Sequence, residues 1–222
     1  MVILKKGRNE IVKKIIRKIF IAIGLKKPLL AYQLVFRKGF LTEYGFIRSW
    51  MQGFPVDKDG EYYPWWTYSF TNFISSRVNA TTEIFEYGSG NSTIFLSKIV
   101  GNIVAVEHDK KWYETLRLML NKNAELILVS KDDYVNSIKD HKYDVVIIDG
   151  LYRNECAFKC VYNLKEAGVI IFDDTDRSDY NPAYDYLRKN GFSRIDFTGL
   201  SPCSLNENST SIFYRENNCL DI

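Results

Sequence analysis

The residues best able to do chemistry in this chain follow short apolar runs. Ile84-Phe85-Glu86-Tyr87-Gly88-Ser89-Gly90-Asn91-Ser92-Thr93 leads from an apolar stretch into two glycines and then a Ser/Thr pair. Gly88 and Gly90 permit a sharp turn and a close approach of backbone to ligand. Ser92 or Thr93 can cap a following helix whose first amides favour polar or anionic groups. A dinucleotide fingerprint wants a third glycine where Thr93 stands, so a pyrophosphate suits this loop less well. Asn102–Val106 closes on Glu107, seventeen residues after Gly90, where a carboxylate can take both hydroxyls of a ribose. Glu125–Val129 leads into Asp132 and Asp133, Val145–Ile148 closes on Asp149, and Val169–Phe172 closes on Asp173 and Asp174.

These positions need elements that aim them at one place. Between the apolar runs lie helical patterns at Lys110–Asn121 and Glu155–Leu164. Alternating strands and helices predict an α/β fold, a Rossmann-like doubly wound sheet with helices on both faces. Ligands of such a sheet sit beyond the carboxyl ends of the strands. Every acid named above would then face one crevice.

In this order the residues resemble the class I S-adenosylmethionine-dependent methyltransferases, whose first motif, an acid, any residue, Gly, any residue, Gly, reads here Glu86-Tyr87-Gly88-Ser89-Gly90. The resemblance spans Pro64 to Arg215 and implies about seven strands, mostly parallel. The closing pair would be Ser193–Phe197 and Ser211–Arg215, one of them antiparallel. It implies that Glu86, Gly88, Ser89, Gly90, Ser92 and Thr93 hold the methionine part of the cofactor and that Glu107 binds the ribose. Asp132 or Asp133 would lie near the adenine, and Asp149 beside the methyl group; His108, next to Glu107, reads as a residue at the cofactor's edge, a helix cap or a base. A narrower resemblance, to catechol- and macrocin-type O-methyltransferases, implies that Asp149, Asp173 and Asp174 hold a divalent cation such as Mg²⁺. The lysine base of the catechol enzymes is replaced by Tyr152, followed by Arg153. The resemblance thus identifies no base; Asp149 and His108 are the candidate catalytic groups, and Arg177 is able to pair with the acids in place of a metal.

Ahead of the first strand, Gly60-Glu61-Tyr62-Tyr63-Pro64-Trp65-Trp66-Thr67-Tyr68 concentrates rings. Trp65, Trp66 or Tyr68 would either pack on the sheet's outer helix or form a platform over a substrate. Arg153 and Arg177 are candidates to grip an acidic substrate. Residues 1–38 carry eleven Lys or Arg against the single acid Glu10, a balance of +10. The chain totals +3, so the remainder sums to −7. This argues against a nucleic-acid-binding core. Ile11, Val12, Ile15, Ile16, Ile19, Phe20 and Ile23 recur between Lys13, Lys14, Arg17 and Lys18. They predict a basic amphipathic helix within residues 1–27 that either lies on an anionic membrane surface or packs on a partner or the core. The apolar run Ile19–Leu25 is too short to span a bilayer.

The expected organisation is a basic helical extension over residues 1–50 and a methyltransferase domain over 51–222, with the core at 80–216. Cys156, Cys160, Cys203 and Cys219 lack metal-site spacing and read as reduced thiols of a cytoplasmic protein, in peripheral contact with the inner face of the membrane. Leu200–Thr210 reads as a polar loop. The expected function is transfer of a methyl group to a hydroxyl of a small molecule or sugar. An NAD-dependent oxidoreductase and a membrane-attached binding protein without chemistry are the alternatives.

Overall fold

The structure, a computed structural model, describes residues 14–15, 18–36 and 39–222. Seven strands form one sheet: β1 (Glu83–Tyr87), β2 (Asn102–Glu107), β3 (Ala124–Leu128), β4 (Tyr143–Ile148), β5 (Leu164–Phe172), β6 (Ser193–Gly199) and β7 (Asn208–Tyr214), in the order β3-β2-β1-β4-β5-β7-β6. The first five pair in parallel, while β7 runs antiparallel to both β5 and β6. This is the Rossmann-like sheet expected from the alternation of apolar runs and helical patterns. The strand order reverses between β1 and β4, which opens a crevice at their carboxyl ends.

From Lys26 onward the described helices are α1 (Lys26–Phe36), α2 (Phe40–Glu43), α3 (Phe46–Gln52), α4 (Tyr68–Ser75), α5 (Asn91–Ser97), α6 (Lys110–Leu116), α7 (Arg153–Cys160) and α8 (Asn181–Lys189). Side chains alternate across the central strands and so fill two cores. Phe85, Tyr87, Val146 and Ile148 pack with Cys156, Cys160 and Leu187 from α7 and α8. Ile84, Val145, Ile147 and Ile171 pack with Phe70 and Ile74 of α4 and Leu96 of α5. Both faces of β1 and β4 are thereby buried, which holds their carboxyl ends in fixed register.

Several boundaries differ from expectation. The helix expected over Lys110–Asn121 stops at Leu116. The amide of Asn121 donates to Ser97 Oγ at 2.9 Å, and that of Asn123 to the carbonyls of Ser97 and Val100, drawing the chain toward β3. The helix expected over Glu155–Leu164 is α7 plus a turn at Val161–Asn163, and Leu164 already begins β5. Asn163 explains the stop, since its amide donates to the carbonyls of Lys139 and His141. The polar stretch expected as a loop to Thr210 enters β7 at Asn208; the hydroxyls of Ser209 and Thr210 find buried partners there.

Ile11, Val12, Lys13, Ile16 and Arg17 lie outside the described residues. Residues 18–22 are helical, Gly24 turns the chain with φ +75°, and α1 follows. Ile19 and Ile23 on this arm are exposed rather than packed on the sheet. Among the described residues no helix is long and apolar enough to cross a membrane.

Candidate active site

The glycine loop joins β1 to α5 and is fixed from beneath. Glu86 is buried, and its carboxylate accepts the hydroxyls of Ser92 and, at 2.6 Å, Thr93. Thr93 Oγ1 in turn accepts the Gly90 N–H at 3.0 Å. Glu86 therefore faces its own loop and acts as the loop's anchor. Burial pushes its carboxyl up to about 7 against the lowering effect of the two hydroxyls, with the Glu107 charge adding to the rise.

Gly88 has φ +97°, and a Cβ there would meet the Asp149 carbonyl oxygen at 2.8 Å. The loops after β1 and β4 thus touch backbone to backbone, a contact only glycine permits. Gly90 is extended, and a Cβ there would meet nothing within 4 Å, so its free side looks onto open space.

Glu107, at the end of β2, is also buried. Its Oε1 accepts the backbone N–H groups of His108 and Asp109 at 2.7 and 2.8 Å and lies 3.0 Å from His108 Nδ1. Oε2 accepts the Ser89 hydroxyl at 2.8 Å. This carboxylate is held by the turn that follows it, facing the glycine loop. His108 is positioned by Glu107 and stands edge-on to Tyr134, with ring centroids 6.1 Å apart.

Asp132 and Asp133 are exposed on the turn after β3, and Asp133 accepts the Ser130 hydroxyl. The next residue, Tyr134, turns inward and joins the core beneath the site. Its ring is buried, and its hydroxyl would sit 2.0 Å from a Cβ on Gly150. Its spacing in the sequence carried no signal beyond an aromatic next to two acids.

The three acids expected to hold Mg²⁺ are organised by a guanidinium. Arg153 Nη2 lies 3.1 Å from Asp149 Oδ1 and Nη1 lies 3.1 Å from Asp174 Oδ2, while Nη1 and Nε donate to the carbonyls of Asp173 and Gly150. Arg177 adds a second contact to Asp174 at 2.9 Å. The Asp173 carboxyl instead accepts Thr210 Oγ1 at 2.6 Å. Among the described residues no three His, Cys, Asp or Glu side chains are grouped to hold a metal ion. The acids do not fit a divalent cation, because a fixed positive charge already lies between two of them.

Arg153 is largely buried in this network and is not free to grip a substrate; Arg177 is the more exposed of the two. Burial pushes the Asp149 carboxyl up to about 7. Arg153 opposes that rise, the Glu86 and Asp174 charges add to it, and the indole N–H of Trp66 weakly opposes it. The Asp149 side chain remains 24% exposed at the cavity, which tempers the shift. Asp173 is pushed well up for the same first reason, desolvation.

A cavity of about 460 Å³ opens beside these groups. Its walls are Ser89–Ser92 of the glycine loop, Trp112 and Thr115 of α6, Met119 just beyond it, Asp149, and a loop carrying Phe54, Pro55, Tyr62 and Trp65. Trp112 is fixed by its indole N–H donating to the Ser89 carbonyl at 2.9 Å. Asn91 carries the loop, its amide donating to the carbonyls of Pro55 and Tyr63, each at 3.1 Å. The amide directly after the second glycine was the only sequence trace of this clamp.

Of the three aromatic candidates, only Trp65 lines the cavity. Trp66 and Tyr68 are buried, Trp66 with α4 and the sheet, Tyr68 in an aromatic cluster with Phe46 and Tyr63. They serve as core because the chain turns inward at Trp66 and enters α4 through the Thr67 cap. The Trp66 N–H makes no hydrogen bond of normal geometry.

No protein-family model matches the sequence, and no curated protein matches it. The fold does have relatives among solved structures. A precorrin-6y C5,15-methyltransferase from Geobacter metallireducens superposes with a TM-score of 0.55 at 15% identity, over 66% of this chain and 87% of the other. A spermidine synthase from Thermotoga maritima gives 0.51 at 19% identity, over 67% and 57%. A precorrin 8W decarboxylase from Methanobacterium thermoautotrophicum gives 0.50 at 16% identity, over 67% and 90%. The chain has the Rossmann-like fold of the methyltransferases, and at these identities the likeness is one of fold.

Proposed function

We propose that this protein transfers a methyl group from S-adenosylmethionine to a hydroxyl of a small molecule or glycan. The observation that carries this reading is the cavity that joins Ser89–Ser92 to Asp149 at the switch point of the sheet. In this reading the loop from Gly88 to Thr93 receives the methionine part, with Gly90 offering a side on which nothing obstructs ligand. Oε2 of Glu107, which otherwise takes only the Ser89 hydroxyl, is the oxygen offered to the ribose. His108, partly exposed beside Glu107, borders the adenine together with the turn that carries Asp132 and Asp133.

The chemistry is an in-line displacement. The acceptor oxygen bonds to the methyl carbon, and the carbon–sulfur bond breaks with its electrons going to sulfur. The hydroxyl proton passes to the Asp149 carboxylate. A base with a pKa near the working pH serves this role best, and Asp149 sits near 7. Arg153 keeps that carboxylate oriented, so positioning and charge are supplied without a metal.

An oxidoreductase using NAD is disfavoured by Thr93, whose hydroxyl is committed to Glu86 where a third glycine would be needed. A nucleic-acid acceptor is disfavoured by the −7 balance of everything after Lys38. The basic residues of the segment 1–27 are read as a contact to an anionic membrane surface. Isothermal titration with S-adenosylhomocysteine, with NAD⁺ alongside, tests the assignment. Micromolar binding of the former alone is expected, and binding of NAD⁺ instead would overturn it. Binding of S-adenosylhomocysteine without transfer to any hydroxylated acceptor would favour a binding protein.

A further inference from the structure

Large apolar side chains that remain exposed are concentrated before residue 66, on the arm, on α3 and at the cavity mouth. On the arm, Ile15, Ile19 and Ile23 are each more than half exposed, and Lys14 and Lys18 lie beside them. On the domain, Trp50 is half exposed and Met51 is 81% exposed at the end of α3. Gly53 closes α3 in a left-handed turn with φ +73°, its N–H on the Ser49 carbonyl at 2.8 Å. The chain then passes straight into Phe54 and Pro55, which wall the cavity. Ser49 Oγ locks this turn, donating to the Val56 carbonyl at 2.8 Å and accepting the Val56 N–H at 3.0 Å. The exposed tip of α3 and the cavity wall are therefore one rigid piece, with half-exposed Trp65 lining the same cavity.

Apolar exposure of this extent marks a contact surface, and charge selects its partner. Residues 1–38 bear a balance of +10 while the rest of the chain bears −7. The partner must offer negative charge at its surface and apolar volume beneath, where Ile, Leu and Met can enter. A bilayer with anionic headgroups offers both, and Trp at the boundary is an interfacial anchor. A nucleic acid offers phosphate but no apolar volume for aliphatic side chains.

We infer that Trp50 and Met51 enter the headgroup boundary of an anionic membrane together with the basic arm, so that the cavity opens onto the lipid surface. The acceptor hydroxyl then belongs to an amphiphile resident in that surface. The second statement rests on the methyl-transfer reading; the membrane contact does not.

The test uses the full chain with vesicles of phosphatidylcholine and phosphatidylglycerol, the latter brominated at the upper acyl carbons. The protein should sediment with the vesicles and its tryptophan emission should be quenched. Trp50→Phe and Trp65→Phe together should remove the quenching that comes from the tip of α3 and the cavity mouth, leaving at most that of Trp112 on the cavity wall, since Trp66 is buried. Met51→Glu should weaken vesicle binding about tenfold or more and leave S-adenosylhomocysteine affinity unchanged. Sedimentation without quenching, or an unaltered Met51→Glu variant, would show that the arm tethers the protein with its cavity facing water, and overturns the inference. Preference for an RNA oligonucleotide over the vesicles does the same. Quenching in a protein that does not bind S-adenosylhomocysteine would support the membrane contact and remove the methyl-transfer reading.

Discussion

Replacing Arg153 by Met tests the core of the site most directly. The guanidinium holds Asp149 and Asp174 at 3.1 Å each and donates to the carbonyls of Gly150 and Asp173, joining the ends of β4 and β5. Met fills similar volume but leaves two enclosed acids uncompensated. Removing one partner of a buried pair costs about 3–5 kcal/mol. Arg153 is also the largest influence holding the Asp149 carboxyl down against burial, so the variant's carboxyl must titrate above 7. A folded-state acid pKa raised above its unfolded value confers stability at low pH that is lost as pH rises through the folded pKa. Each further unit of rise makes the variant's deficit about 1.4 kcal/mol larger at high pH than at low pH. Guanidinium chloride unfolding at pH 6 and pH 8 measures this, and the deficit should be the larger at pH 8. In parallel, the rising limb of the pH–rate profile should move to higher pH, and Mg²⁺ should restore neither property. An equal loss at both pH values with an unmoved profile would refute the reasoning, as would recovery on adding Mg²⁺.

Glu107→Ala should weaken S-adenosylhomocysteine binding by about 1.5–3 kcal/mol for each hydrogen bond lost to the carboxylate, measured by calorimetry; unchanged affinity would misplace the ribose. Asp149→Asn should lower kcat far more than cofactor affinity, and in the unsubstituted protein kcat/KM should climb as pH passes about 7, both readable from steady-state kinetics. Gly88→Ala forces a side chain against the Asp149 carbonyl at 2.8 Å with φ +97° and should cost about 3 kcal/mol or more in a denaturant titration. The ligand-free protein should lose stability as pH rises from about 4 to 7, because burial pushes Glu86 and Asp149 each up to about 7 and Asp173 well up; Glu86→Gln should reduce that dependence by one group's share in thermal melts, leaving the part due to the two aspartates.

The strand ends were legible in the sequence because most of the apolar runs finish on an acid, whose carboxylate must find polar partners where the strand ends. Glu107, Asp149, Asp173 and the Gly88 turn could be placed at one crevice from alternation alone. Helix ends were less legible, since Asn121 and Asn163 stop their helices through partners that are distant in sequence, Ser97 and Lys139. The same holds within the site. Nothing local distinguishes Trp65, at the cavity, from its buried neighbour Trp66. The role of Arg153 depends on three acids from two loops that meet only once the sheet has formed. Asn91 carries the cavity wall through carbonyls of Pro55 and Tyr63, and carbonyls leave no mark in a sequence.

The contact of Gly88 with Gly150 has a consequence for how relatives of this chain can be sought. Each glycine leaves room for the other's backbone, since a Cβ on Gly150 would stand 2.9 Å from the Gly88 nitrogen and 2.0 Å from the Tyr134 hydroxyl. The two positions should therefore vary together, and a side chain at one should be accompanied by a displaced loop at the other. A pattern that pairs Glu-x-Gly-x-Gly with a downstream Asp-Gly would be more selective than either half, and would gather chains that share this interlock.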